Sequence, residues 1–164
     1  MPEPRTKRYI QRLTGRIAAL NRFVPRSSDK CRPFFKLLKK KTPFVWDDEC
    51  RAAFDQLKEY LSSPPLLAKP VDKEPLMLYL AVSEIALSAA LVRANGVTEQ
   101  PVYYLSKALQ DAETRYPMIQ KLALALVVAA RKLRPYFQCH PIVVMTSHPL
   151  RKVVHKPDIP SRLS

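Results

Sequence analysis

The chain has 164 residues, with 28 Lys and Arg against 14 Asp and Glu, 47% hydrophobic residues, 16 Pro and 2 Gly. That size fits one ordinary domain, or one small domain with an appendage, and the apolar fraction excludes an intrinsically disordered chain despite a net charge of +14. No apolar run approaches the roughly 18 residues of a membrane-spanning helix, and Met1-Pro2-Glu3-Pro4-Arg5 lacks the apolar core of a signal peptide; the expectation is an intracellular protein, not secreted and without a membrane partner.

Ile10, Leu13, Ile17, Leu20 and Val24 recur at steps of three and four, which predicts a helix that Pro25 ends. A second short helix, capped by Ser27-Ser28-Asp29, carries Phe34, Phe35, Leu37 and Leu38 before the break at Lys39-Lys40-Lys41-Thr42-Pro43. Phe44-Val45-Trp46 leads into Asp47-Asp48-Glu49, an acidic first turn that suits the positive end of a helix dipole. The helix that follows has Cys50, Phe54, Leu57 and Leu61 on one face and stops at Ser62-Ser63-Pro64-Pro65. Residues 66–75 are punctuated by proline and read as a linker between an N-terminal helical part, 1–65, and a sheet-based part, 76–164.

After Pro75 the pattern changes to apolar runs of strand length at Leu76–Val82, Ala86–Val92 and Pro101–Leu105, with Asn95-Gly96 as a hairpin signal. A long helix follows, with Pro117 in its first turn and Ile119, Leu122, Ala123, Leu126, Ala130, Leu133 and Phe137 as its apolar stripe. Ile142–Thr146 reads as a fourth strand. The order of three strands, a helix and a strand predicts an α/β (α+β) layer structure with the helix packed on a mixed sheet.

The basic charge sits at the two ends. Residues 1–41 hold 13 Lys and Arg against Glu3 and Asp29, a net +11; residues 42–130 are net −3 and residues 131–164 net +6. Such segregation is the electrostatic half of a nucleic-acid footprint, because each cation that neutralises a phosphate releases condensed counterion. The competing reading is a merely solvated basic surface.

Leu13-Thr14-Gly15-Arg16, Leu20-Asn21-Arg22-Phe23, Phe34-Phe35-Lys36-Leu37-Leu38, Phe44-Val45-Trp46-Asp47 and Ala53-Phe54-Asp55-Gln56-Leu57-Lys58 resemble the thumb and connecting helices of gypsy-type LTR retrotransposon reverse transcriptases. Pro101-Val102-Tyr103-Tyr104-Leu105-Ser106-Lys107-Ala108-Leu109, Glu113-Thr114-Arg115-Tyr116-Pro117 and Leu133-Arg134-Pro135-Tyr136-Phe137 resemble the RNase H-like domain that follows. The shared order of these motifs, over about residues 8 to 157, carries the resemblance. It implies an incomplete RNase H-like fold and, as partner, an RNA/DNA hybrid or template-primer bound weakly and without sequence preference. For the nucleic-acid contacts the expected residues are Arg12, Arg16, Arg22 and Arg26, with Lys39, Lys40 and Lys41, since cationic side chains suit a phosphate backbone.

RNase H chemistry needs clustered carboxylates to hold magnesium beside the scissile phosphate. The resemblance places the family's first Asp at Ala81 in Tyr79-Leu80-Ala81-Val82-Ser83, its Glu at Leu122 in Leu122-Ala123-Leu124-Ala125, and its next Asp at Ser147 in Thr146-Ser147-His148. All three are replaced, so no catalytic residue and no cofactor is expected in this chain, although Mg2+ serves active relatives. The pattern is most similar to the plant Tat-like lineage, in which a degenerate RNase H domain acts as a connection to a second, working nuclease.

Other chemistries are disfavoured. His140, His148 and His155 are too far apart for a metal trio, Ser147 and His148 are adjacent and face opposite ways in a strand, and Gly15 and Gly96 cannot form a phosphate-binding loop. Cys31, Cys50 and Cys139 form neither a disulfide framework nor a zinc site. Tyr9, Phe23, Tyr103, Tyr104, Tyr136 and Phe137 are candidate stacking faces, most of them at core-like spacing. Two alternatives to a non-catalytic nucleic-acid-binding fragment remain: a divergent active hybrid ribonuclease, and a host-recruited protein-interaction module.

Overall fold

A computed structural model describes residues 1–63 and 66–146. Helix α1 (Lys7–Ala19) starts at Thr6, whose hydroxyl accepts the Tyr9 N–H at 3.2 Å, and buries Ile10, Leu13 and Ile17. It stops well short of Pro25. The Leu20 N–H bonds to both the Arg16 and Ile17 carbonyls, tightening the last turn, and a 3-10 turn at Asn21–Phe23 then redirects the chain. Leu20 is therefore exposed, and Val24 is buried from outside the helix.

The single helix expected next is two, α2 (Ser27–Lys30) and α3 (Arg32–Leu37). Pro33 lies in the first turn of α3, where its missing N–H costs nothing. Ser27-Ser28-Asp29 lies inside α2 and does not cap it; the cap position is Arg26, in the left-handed conformation at φ 52°. Helix α4 (Asp48–Ser62) begins as expected, with Asp47 accepting the Cys50 N–H at 2.8 Å.

That bond holds the Asp47 carboxyl below the usual carboxylate range. Its contribution to stability is present above the unfolded value of about 3.9 and is lost as pH falls through the lower folded value. Asp47→Asn, which keeps an acceptor at the cap, is expected to leave stability near neutral pH almost unchanged and to flatten the acid-side loss. Urea unfolding between about pH 2 and pH 5 checks this.

The helices share one apolar cluster in which Ile10, Leu13, Ile17, Phe34, Phe54 and Leu57 are buried. Trp46 stacks on Phe34 at 6.1 Å between ring centroids and meets Phe54 edge-on at 5.7 Å. The second cluster lies under the sheet. Strands β1 (Leu76–Val82), β2 (Ala86–Asn95), β3 (Thr98–Ala108) and β4 (Ile142–Met145) are ordered β3-β2-β1-β4, with β4 parallel to β1 and the other pairs antiparallel.

β2 and β3 extend beyond their apolar runs, so Asn95 ends β2 opposite Thr98 and the two turn residues are Gly96 and Val97. Gly96 takes φ 66°, which a residue without Cβ adopts freely. A bulge opposite Leu91/Val92 lets Val102 join the core while Tyr103 stays in register with Leu91.

Leu76, Leu78 and Leu80 of β1 alternate inward with Leu87, Ala89 and Leu91 of β2. They pack against α5 (Met118–Lys132), which buries Leu122, Ala123, Leu124, Ala125 and Ala129. Pro117 precedes this helix at its cap. The helix breaks at Leu133 because Pro135 cannot supply a further helical N–H, and α6 (Arg134–Cys139) carries Tyr136 and Phe137 onward.

The stretch 66–75 lies against the sheet: the Ala68 N–H bonds to the Pro101 carbonyl at 2.7 Å, and Arg93 reaches the Lys69 carbonyl and the Glu74 carboxylate, the latter at 2.9 Å. Among the described residues, no helix is long and apolar enough to cross a membrane.

Candidate nucleic-acid interface

The apolar side of α1 faces the helical cluster, which leaves Arg8, Arg12 and Arg16 exposed at successive steps of four along one row. One helical turn separates neighbours in that row, about 6 Å. Among the described residues, none of the three side chains makes an ion pair or hydrogen bond. Arg8 belongs with Arg12 and Arg16 by the same step of four, a periodicity that the choice of Arg12 alone as first member overlooked.

Lys39, Lys40 and Lys41 follow α3 in an exposed turn. The Lys7 Nζ donates to the Lys39 carbonyl at 3.0 Å, which brings this turn to the start of α1. The first turn of α1 holds no acidic side chain to balance its dipole. Beside the arginine row, Gln11, Gly15 and Ala18 border an open groove of about 510 Å³ whose far wall includes Phe35 and Ser106.

Arg22 and Arg26 stand apart from this row. The Arg22 guanidinium lies 5.0 Å from the Tyr103 ring centroid and 5.5 Å from that of Phe23. Arg26 pairs with Asp29 at 3.4 Å. Most of the candidate stacking rings are likewise engaged within the chain: Tyr103 meets Tyr136 edge-on at 6.4 Å, and Tyr9 donates to the Pro2 carbonyl.

At the seam between helices and sheet, Lys30 sits 4.3 Å over the Tyr60 ring, and the Tyr60 hydroxyl donates to the Phe23 carbonyl at 3.0 Å. Burial, with Arg26 nearby, lowers the Lys30 pKa, while burial pushes Tyr60 up to about 12. Cys31 and Cys50 are buried and raised to about 11, above the range of a reactive thiolate; Cys139 is exposed.

The positions matched to the metal ligands have distinct surroundings. Ala81 is exposed, next to the inward-facing Leu80 in β1, and its carbonyl accepts a bond from the Ser88 hydroxyl. Leu122 is 3% exposed within the sheet cluster. Neither side chain carries an atom that ligates Mg2+, so these two positions do not fit the ion. Ser147, His148 and His155 lie outside the described residues.

Three carboxylates are held in hydrogen bonds within the chain. Glu113 accepts the Gln110 N–H at 2.9 Å, Glu99 accepts the Tyr79 hydroxyl, and Asp29 accepts the Ser83 hydroxyl at 2.7 Å. His140 Nδ1 lies 3.0 Å from the Glu74 carbonyl. Among the described residues, no group of three or more His, Cys, Asp or Glu is placed to hold a metal ion.

Residues 46–144 match the family described as the RNase H-like domain found in reverse transcriptase. The chain belongs to this family. Its relatives include the Gag-Pol polyproteins of woolly monkey sarcoma virus, 29% identical over 157 residues, and of baboon endogenous virus strain M7, 28% identical over 157 residues. Both alignments cover 96% of the chain, which spans 9% of either polyprotein. These are retroviral proteins, so the match is to a reverse transcriptase RNase H-like domain of retroviral or retroelement polyproteins and not specifically to the gypsy type.

Among solved structures, a foamy viral protease-reverse transcriptase in complex with dsDNA superposes with a TM-score of 0.75 at 21% identity, covering 96% of this chain and 33% of that one. Foamy viral protease-reverse transcriptase in complex with an RNA/DNA hybrid gives 0.73 at 19% identity, covering 99% and 23%. The mixed α/β sheet with its helices is thus an RNase H-like fold.

Proposed function

We propose that the chain is a non-catalytic, connection-type module of a retroelement polyprotein, of the gypsy type and Tat-like lineage. It acts inside the cell and binds an RNA/DNA hybrid or template-primer through phosphates, weakly and without sequence preference. The observation that carries this reading is the exposed row Arg8, Arg12 and Arg16 on α1, with the Lys39–Lys41 turn at its start. Such cations release counterions on meeting a phosphate backbone, and backbone contacts carry no sequence information. The nucleic acids bound to the foamy viral neighbours are in keeping with this partner.

The non-catalytic part of the reading rests on Ala81 and Leu122, which supply no carboxylate where the family's metal ions would be held. No cofactor is assigned to this chain. Incubation with a labelled RNA/DNA hybrid in magnesium or manganese is expected to give binding without cleavage. Metal-dependent cleavage that persists through purification would overturn the proposal and require another ligand set.

A further inference from the structure

We propose that Arg22 is a positioning residue that locks the basic helical segment onto the sheet, rather than a phosphate contact. A guanidinium held over two ring faces is attracted to both quadrupoles. Here one ring, Phe23, belongs to the helical segment, and the other, Tyr103, belongs to β3 and rests edge-on against Tyr136 of α6. The cation therefore links the helical segment to β3 and, through Tyr136, to α6.

Two hydrogen bonds also cross from the helical segment to the sheet part, both from α2. The Ser28 N–H donates to the Ser106 hydroxyl at 3.0 Å, and the Ser83 hydroxyl donates to Asp29 at 2.7 Å. Opening the seam exposes the Ser28 amide, which makes that amide a local reporter of the lock.

Hydrogen exchange on the whole chain tests the lock without reference to nucleic acid. Arg22→Ala is expected to speed exchange of the Ser28 amide about tenfold. Tyr103→Leu, which removes the ring and leaves every charge in place, is expected to do the same. An unchanged Ser28 rate in either variant overturns the proposal, and if Arg22→Ala does not fold, Tyr103→Leu decides alone.

A second readout rests on the phosphate-binding reading above. In a hybrid-binding salt series, Arg22→Ala is expected to keep the slope of log affinity against log salt. A slope shallower by about 0.9 would make Arg22 a phosphate contact and also overturn the proposal.

Discussion

Replacing Arg12 and Arg16 together by alanine is expected to make the slope of log affinity against log salt shallower by about 1.8, because each lost phosphate contact removes about 0.9. Affinity for a hybrid duplex falls with it, most strongly at low salt, where counterion release drives binding hardest. The two side chains are exposed and unpartnered among the described residues, so the fold should not change. Thermal unfolding of the variant is therefore expected to match the parent, which separates a binding defect from a folding one. An unchanged slope would remove α1 from the interface and leave the Lys39–Lys41 turn as the remaining basic candidate.

Placing a carboxylate at Leu122, the position matched to the family's Glu, is expected to cost the chain at least about 3 kcal/mol. Leu122 is 3% exposed among Leu78, Leu80, Ala123 and their neighbours, so Leu122→Glu removes a packed side chain and places a carboxyl in an apolar site. Burial disfavours the charged form and raises that carboxyl's folded pKa above its unfolded value of about 4.3. The sign follows: the folded variant binds more protons than the unfolded one, so its stability is greatest at acid pH and falls as pH rises through and beyond that value.

Urea unfolding at about pH 4 and pH 7 checks the expectation, with a larger deficit at the higher pH. Ala81→Asp, by contrast, alters an exposed position and should cost less than about 1 kcal/mol. The contrast has a mechanistic meaning. The two positions differ in surroundings as well as in side chain, and Leu122 is part of the hydrophobic core.

Much of this fold is legible in the sequence because its signals are local. Asp47 before an acidic turn starts α4, the apolar run Leu76–Val82 gives β1, and the apolar stripe around Leu122 gives α5. Where tertiary contacts or backbone geometry decide, the pattern misleads. Leu20 and Val24 continue the period of α1, yet the helix ends at Ala19, since the Leu20 N–H closes onto Ile17 and Val24 is buried by other means. Ser27-Ser28-Asp29 has the composition of a cap, but its polar groups are used by Asn21, Ser106 and Ser83.

The basic candidates show the same division. The exposure of Arg12 and Arg16 follows from helical periodicity alone, whereas the surroundings of Arg22 depend on Tyr103, a ring far away in sequence that the bulge in β3 holds in register beside it. Arg26 likewise reads as a free cation until the left-handed turn before α2 brings it to Asp29.

The most direct measurement is the affinity of the unaltered chain for an RNA/DNA hybrid across a salt series from about 50 mM to 200 mM. Contacts from the arginine row and the Lys39–Lys41 turn predict a linear log–log plot with a slope of about −3 to −5, nearly independent of base sequence. A flat plot, or an affinity that depends on sequence and not on salt, would contradict the account.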